Sequence, residues 1–235
     1  MYGTWVLLIL IFISSFPVIA VYVWFRAAKY QVSIVWFFAA LLTGAAAFLP
    51  ALLFQDLLAG VSITQSRTAL LFDFFIRIAF TEEFSRLLLL FAFFWISGMI
   101  SKKNCLDKDL NQKLTFNSVK KGTAAGLIAG FGFSILENTG LAASGMEISV
   151  IILRAVFTAS IHGACGSRIG AAAVLLRANP FQSLLRLITA VAIHGVYNIM
   201  VTIPGIPSIA AFIIAASTLI TAILGVRGVK FNSED

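Results

Sequence analysis

Seven apolar runs, each near the length at which a helix crosses a bilayer, take up most of this 235-residue chain. The hydrocarbon core of a membrane is spanned by about 20 helical residues. The runs cover residues 5–25, 32–54, 68–100, 122–143, 148–176, 183–203 and 208–226. With 60% apolar and 11% charged side chains, the chain lies outside the soluble range, where a fold of this size needs far more polar surface. The expected fold is therefore all-α: one integral membrane domain over 1–235, a bundle of about seven transmembrane helices. The third run is overlong. It reads either as one tilted helix or as a short amphipathic helix over 68–79 feeding a span that begins at Glu82, which leaves an eighth element open. The first run has no basic n-region and no small-residue cleavage site, so it reads as a retained span and not a signal peptide.

Basic residues orient the bundle. Arg26 and Lys29 follow the first run; Lys102, Lys103, Lys108, Lys113, Lys120 and Lys121 lie between the third and fourth; Arg177 and Arg186 mark the fifth-to-sixth turn; Arg227 and Lys230 follow the last. The alternate loops carry little beyond Arg67. By the excess of Lys and Arg on the cytoplasmic side, the N-terminus is expected outside and the C-terminus in the cytoplasm. The net charge of +7 then belongs to span ends, and nucleic acid is not an expected partner. Residues 101–118 read as a cytoplasmic loop and 204–207 as a short external turn. Cys105 and Cys165 form no disulfide framework and no metal-binding spacing, so both are expected as free thiols.

Ionisable residues inside the spans are costly and so mark function. Glu82-Glu83-Phe84-Ser85-Arg86 opens the apolar stretch to Trp95, and i,i+4 or i,i+3 spacing lets Arg86 neutralise one of the two carboxylates. Asp73 and Arg77 are also i,i+4 and are expected as a structural pair. In the fourth run Gly122, Gly126 and Gly130 make one smooth face that permits close helix approach. Glu137 projects from nearly that face, with Asn138 beside it. The fifth run carries Arg154 and then His162, Gly166 and Gly170 on one face. The sixth carries His194, Tyr197 and Asn198. His162 and His194 are the chain's two histidines, and both fall in mid-span. At about 1.5 Å per residue, these groups reach depths compatible with a single cluster. Taken singly, each has a bland reading as a helix–helix hydrogen bond.

In order along the chain, Glu82-Glu83-x-x-Arg86, Phe133-x-x-x-Glu137-Asn138, His162 with its glycines and His194-x-x-Tyr197-Asn198 resemble the motifs of the PrsW family of intramembrane proteases. That family sits in the CAAX-protease and bacteriocin-processing superfamily, and the resemblance covers about residues 80–200. Two positions depart from it: Arg86 stands where PrsW-like proteins often have lysine, and Asn198 where they often have aspartate. The resemblance implies a membrane-embedded endopeptidase acting on membrane-anchored proteins, typified by anti-sigma factors, with lipid-anchored substrates also open. The compact chain suggests a prokaryotic plasma membrane.

Peptide hydrolysis needs an activated water, oxyanion stabilisation and a proton for the leaving amine. The expected assignment gives water activation to Glu82 or Glu83 and orientation of that pair to Arg86, with Asn198 and one histidine as oxyanion donors. Phe133, Asn138 and Arg154 are expected in support. With a metal, Glu137, His162 and His194 would hold a Zn2+-type ion, two imidazoles and a carboxylate being a recognised catalytic set; a metal-free glutamate mechanism stands equally. Alternatives for the same residues are a CAAX-type prenyl-protein endopeptidase, a proton- or ion-coupled transporter, and a glycine-packed scaffold. The transporter lacks the internal repeats and interrupted helices common in that class.

Overall fold

A computed structural model of the chain describes residues 3–59, 67–98, 116–203 and 208–231. Every regular element among them is helical, as expected where apolar side chains face lipid and backbone groups must be satisfied within the segment. Five stretches are long and apolar enough to cross a membrane: Thr4–Ala27, Ile34–Ala59, Ile148–Leu175, Pro180–Thr202 and Ile209–Val226.

Each of the first two stretches is broken once, just before a proline. Helix α1 (Thr4–Ser14) gives way to α2 (Phe16–Ala27) ahead of Pro17, and α3 (Ile34–Ala46) to α4 (Phe48–Ala59) ahead of Pro50. Proline has no N–H to donate, and its ring crowds the carbonyl four residues back, so a long helix bends there.

The overlong third run is one continuous helix with a change of winding in the middle. Helix α5 (Arg67–Phe72) passes into a π-helical segment, Asp73–Phe80, and then into α6 (Thr81–Ile96) without an intervening loop. The wider π turn re-aims α6, and such segments are frequent at functional sites. Thr81 Oγ1 donates to the Arg77 carbonyl at 2.6 Å where ordinary α winding resumes.

Helices α7 (Phe116–Ala143) and α8 (Ile148–Leu175) form an antiparallel hairpin. Gly145, at φ 93°, closes α7: its N–H bonds Ala142 O and the next N–H bonds Leu141 O, both at 3.0 Å. Helix α9 (Pro180–Thr202) is capped by Asn179, whose side chain accepts from the Gln182 N–H, and α10 (Ser208–Val226) follows.

Helix α7 is the core of the bundle, with residues 122–134 all buried. A methyl added at Gly126 would overlap Gly166 O, one at Gly170 would overlap Gly122 O, and one at Gly130 would overlap the His162 carbonyl. On its other side α7 meets α3 as closely, Gly44 against the Ala129 carbonyl and Gly132 against that of Leu41. Two of the seven apolar runs fall outside the five candidate spans for these reasons. Helix α6 has 16 residues and opens with two carboxylates and an arginine. Helix α7 has glycine and alanine where a lipid-facing span has large apolar side chains, because it faces protein.

Among the described residues, Lys120, Arg177, Arg227 and Lys230 collect at one end. Lys120 Nζ donates to Arg227 O (2.7 Å), Asn117 Nδ2 to Lys230 O (2.9 Å) and Gly228 N to Tyr30 Oη (3.0 Å), while the Arg177 guanidinium covers Trp95 at 4.9 Å. Cys165 is a buried free thiol. Cys105, most of the basic loop around it and the 204–207 turn lie outside the described residues.

The glycine contacts carry a stability prediction. Gly126→Ala should lower stability by about 1–3 kcal/mol, the usual cost of overpacking. Gly140→Ala, whose new methyl would meet the Phe48 ring at an ordinary contact distance, Cζ at 3.5 Å, should be neutral or slightly stabilising, since alanine is the better helix former. Thermal unfolding of both variants in detergent measures the difference, and equal midpoints would count against close α7–α8 packing.

Candidate active site

Antiparallel pairing of α7 with α8 matches 122 to 170, 126 to 166 and 130 to 162. Two turns further on, Glu137 and Asn138 therefore come level with Arg154. Arg154 Nη2 pairs with Glu137 Oε1 at 2.5 Å, and its Nε donates to Asn138 Oδ1 at 3.2 Å. Asn138 Nδ2 in turn reaches Ser14 Oγ on α1 at 3.4 Å. The other Glu137 oxygen, Oε2, lies 2.8 Å from His162 Nε2.

Helix α6 brings the second half of the cluster. Glu82, Glu83 and Arg86 are all buried, with Arg86 fully so. The guanidinium pairs with Glu83 Oε1 through Nη2, donates from Nη1 to His162 O at 3.1 Å and from Nε to Glu82 O at 3.4 Å. It also sits 4.7 Å over the ring of Phe133, whose ring centroid is 5.2 Å from that of His162. Phe133 thus packs against both the cation and the imidazole.

Helix α9 supplies His194. Its Nδ1 is 2.8 Å from Glu83 Oε1, and its Nε2 lies 3.8 Å from Glu82 Oε2. The two imidazoles meet edge to face, centroids 5.0 Å apart. Gly195 has a local reason: a Cβ there would collide with the Phe75 ring of the π-helical segment. That ring packs against the His194–Gly195 backbone and holds α9 to the helix bearing the glutamates.

Each histidine is thus held on one nitrogen by a carboxylate. His162 Nδ1 and Glu82 Oε2 are buried and have no hydrogen-bond partner among the described residues. One ligand atom from each of Glu82, His162 and His194 lies within 4.8 Å of the others. Two imidazoles and a carboxylate with converging unspent atoms suit a divalent transition metal of the zinc type. In this geometry the carboxylate of the set is Glu82 and not Glu137. Both Glu137 oxygens are engaged, one by Arg154 and one by His162, so Glu137 backs a candidate ligand in the manner of a carboxylate–histidine–metal chain.

Asn198 lies one turn beyond His194, half-buried, its side chain making no hydrogen bond among the described residues. Tyr197 is buried and its hydroxyl lies 3.0 Å from Thr158 Oγ1. Asp73 and Arg77 pair at 2.7 Å on a partly exposed face and stay out of the cluster. Sequence reasoning misses Gln55, whose Nε2 donates to Glu82 Oε1 at 3.1 Å. The one available signal is an amide directly after the apolar run ending at Phe54. A cleft of about 1030 Å³ opens beside the cluster between α8, α9 and α10. Arg154, Thr158 and Tyr197 form its polar edge, and Leu153, Phe157 and Phe212 are among its apolar walls.

Comparison with protein-family models gave a match over residues 32–225 to "PrsW family intramembrane metalloprotease". Comparison with curated proteins and with solved structures gave no match.

The Arg86 network predicts a non-additive pair. Arg86→Met leaves the Glu83 charge buried without its guanidinium and should cost about 3–5 kcal/mol. Adding Glu83→Gln to it should recover a large part of that loss. Unfolding midpoints of the wild type, both single variants and the double variant form the cycle; strict additivity would mean the two side chains are not coupled.

Proposed function

The chain belongs to the PrsW family of intramembrane metalloproteases, and on that premise we propose that it cuts membrane-anchored protein substrates at the Glu82–His162–His194 cluster. It is an integral membrane protein, and its substrates are membrane proteins. Anti-sigma-factor-like proteins are the substrate class proposed, and a prokaryotic plasma membrane the location. We further propose seven spans, counting the α5-to-α6 helix and α7 with the five apolar stretches. The end that gathers Lys120, Arg177 and Arg227 then faces the cytoplasm, and the C-terminus with it.

One observation carries the catalytic reading. Three buried groups from three helices each keep an unspent atom on the same side, and partners on the far side hold them there. Glu82, His162 and His194 would hold the metal. When bound, such an ion supplies a polarised carbonyl and an acidified water. The remaining residues orient. Glu137 accepts from His162 Nε2 and so keeps the Nδ1 lone pair available; Glu83 does the same from the Nδ1 side of His194. Gln55 holds Glu82 Oε1 so that Oε2 faces the histidines. Arg86 balances the charge of Glu83. Asn198 would donate its amide N–H to the oxyanion.

The cleft between α8, α9 and α10 would take the substrate segment. Its apolar walls suit side chains leaving lipid, and the Arg154–Glu137 pair lies between it and His162. A metal-free reading uses the same atoms: Glu82 Oε2 takes a proton from water and later returns it to the leaving nitrogen, and its place beside both imidazoles favours Glu82 over Glu83 for this task. The CAAX-type prenyl-protein activity remains a subordinate proposal within the protease class.

Cleavage of single-span substrates in reconstituted vesicles tests the assignment. Glu82→Gln, His162→Ala and His194→Ala should lose about 10²–10⁴ in rate, the range for a lost acid–base or electrophilic group. Glu137→Gln and Glu83→Gln, behind the histidines, should lose about 10–100-fold. Metal analysis and chelation separate the two mechanisms: activity that survives in metal-free protein leaves only the glutamate version. If well-folded variants of all five positions cut like wild type, the site is wrong. Proton-coupled flux without cleavage would point to a transporter.

A further inference from the structure

Helices α8 and α9 run antiparallel in one regular register. The Ser183 hydroxyl donates to Ala172 O at 2.9 Å, and the Cys165 thiol donates to Ala190 O at 3.5 Å. Further along, the His162 and His194 rings meet with centroids 5.0 Å apart, and the Thr158 and Tyr197 hydroxyls lie 3.0 Å from each other. Each step back along α8 is matched by a step forward along α9. The Thr158–Tyr197 pair is therefore the layer next to the imidazoles. Thr158 stands one turn from His162, about 6 Å along the axis, and Tyr197 one turn from His194.

That layer is also the floor of the cleft of about 1030 Å³ between α8, α9 and α10. Of the residues that line the cleft, Thr158, Tyr197 and Ala211 are buried, and the others are half-buried or exposed. Neither imidazole lines it, and Asn198 does not either. A chain segment lying in the cleft thus meets the two hydroxyls before it meets the imidazoles.

During peptide hydrolysis negative charge grows on the carbonyl oxygen, and donors aimed at that oxygen count for most where water is excluded. Two hydroxyls carry two protons and spend one on their mutual bond, so one O–H is left to donate. The phenol is the more acidic of the two. With Thr158 donating to Tyr197 Oη and Tyr197 donating onward, the two bonds run in one direction and strengthen each other. Arg154, at the same edge of the cleft, is already engaged by Glu137 and Asn138. We propose that the Tyr197 hydroxyl donates to the scissile carbonyl oxygen of a substrate in the cleft. Tyr197 is then a further catalytic residue, and Thr158 the positioning residue that orients its hydroxyl. The inference rests on the reading of the Glu82–His162–His194 cluster as the hydrolytic centre.

Wild type, Tyr197→Phe, Thr158→Val, Thr158→Ser and the Tyr197→Phe/Thr158→Val double variant would be compared on a single-span substrate in vesicles. Initial rates separate kcat from KM, and unfolding midpoints in detergent report the fold. Tyr197→Phe should lose about 10²-fold in kcat, the loss of one oxyanion donor, with KM within about twofold. Thr158→Val should lose about 3–10-fold, the worth of one neutral hydrogen bond. Thr158→Ser, which keeps the hydroxyl, should restore the wild-type rate. The double variant should be no slower than Tyr197→Phe, because Thr158 acts through the phenol. Should Tyr197→Phe fail to fold, a fluorotyrosine at 197 keeps the hydroxyl and alters its acidity; it should change kcat and leave KM alone, and an unchanged kcat would count against the donor. If both single variants lower the unfolding midpoint alike and keep full kcat, the pair only ties α8 to α9, and the inference is overturned. A larger loss in Thr158→Val than in Tyr197→Phe would overturn it too. Wild type that cuts no substrate would remove the protease reading and this inference together, whereas cutting by wild type and Tyr197→Phe at equal rates removes only the inference.

Discussion

A fully buried guanidinium is the constraint on which the rest of this structure depends. Removing Arg86 from water is expensive, and the cost is offset only when every donor finds an acceptor in good geometry. The acceptors come from separate places: the Glu83 carboxylate and Glu82 backbone on its own helix, and the His162 backbone on α8, with the Phe133 ring from α7 beneath it. One side chain thus ties three helices at the level where the two imidazoles and Glu82 meet. Because the donor fork of arginine is planar and fixed, it specifies directions as well as charge balance. Lysine would balance the charge of Glu83 but could not hold both backbone carbonyls in the same geometry.

That knot closes only because α7 and α8 approach to backbone contact. The glycine pairs 122/170 and 126/166 and the 130/162 contact set a register that cannot slip by one residue without a steric clash. The same register delivers Glu137 to His162 and Arg154 to Glu137 and Asn138. Packing and chemistry are one arrangement here: the small residues that allow close approach also determine which carboxylate meets which histidine. The π-helical segment plays the matching part for α6 and α9, with Phe75 seated where Gly195 has no side chain.

Much of this is legible in the sequence, because charges inside an apolar run have few explanations. Glu82, Glu83, Arg86, Glu137, His162 and His194 stand out on cost alone, and glycines at every fourth position announce the close face of α7. Relations that need three dimensions are not legible there. Glu137 looks like a ligand because a carboxylate and two histidines make a set; that both its oxygens are engaged, by Arg154 and His162, depends on the hairpin register. Gln55 escapes notice because the apolar run ends at Phe54, although α4 continues through Ala59 and brings the amide to Glu82. The π winding over Asp73–Phe80 is hidden because the pattern there, with Asp73 and Arg77 four residues apart, reads equally as an ordinary amphipathic α-helix. Span counting from hydropathy is least apt for α7, whose surroundings are protein on nearly all sides.

The two histidines are held in opposite senses, and this separates carboxylates that the sequence presents as equivalent. A carboxylate accepts a hydrogen bond, so Glu137 places the proton of neutral His162 on Nε2, and Glu83 places that of His194 on Nδ1. The lone pairs then fall on His162 Nδ1 and His194 Nε2. His162 Nδ1 is buried without a hydrogen-bond partner among the described residues, and His194 Nε2 faces Glu82 Oε2 at 3.8 Å. Glu83 and Glu137 are therefore not spare copies of Glu82. They determine which way the imidazoles face, and Glu82 is the carboxylate whose unpartnered oxygen lies with the two imidazoles.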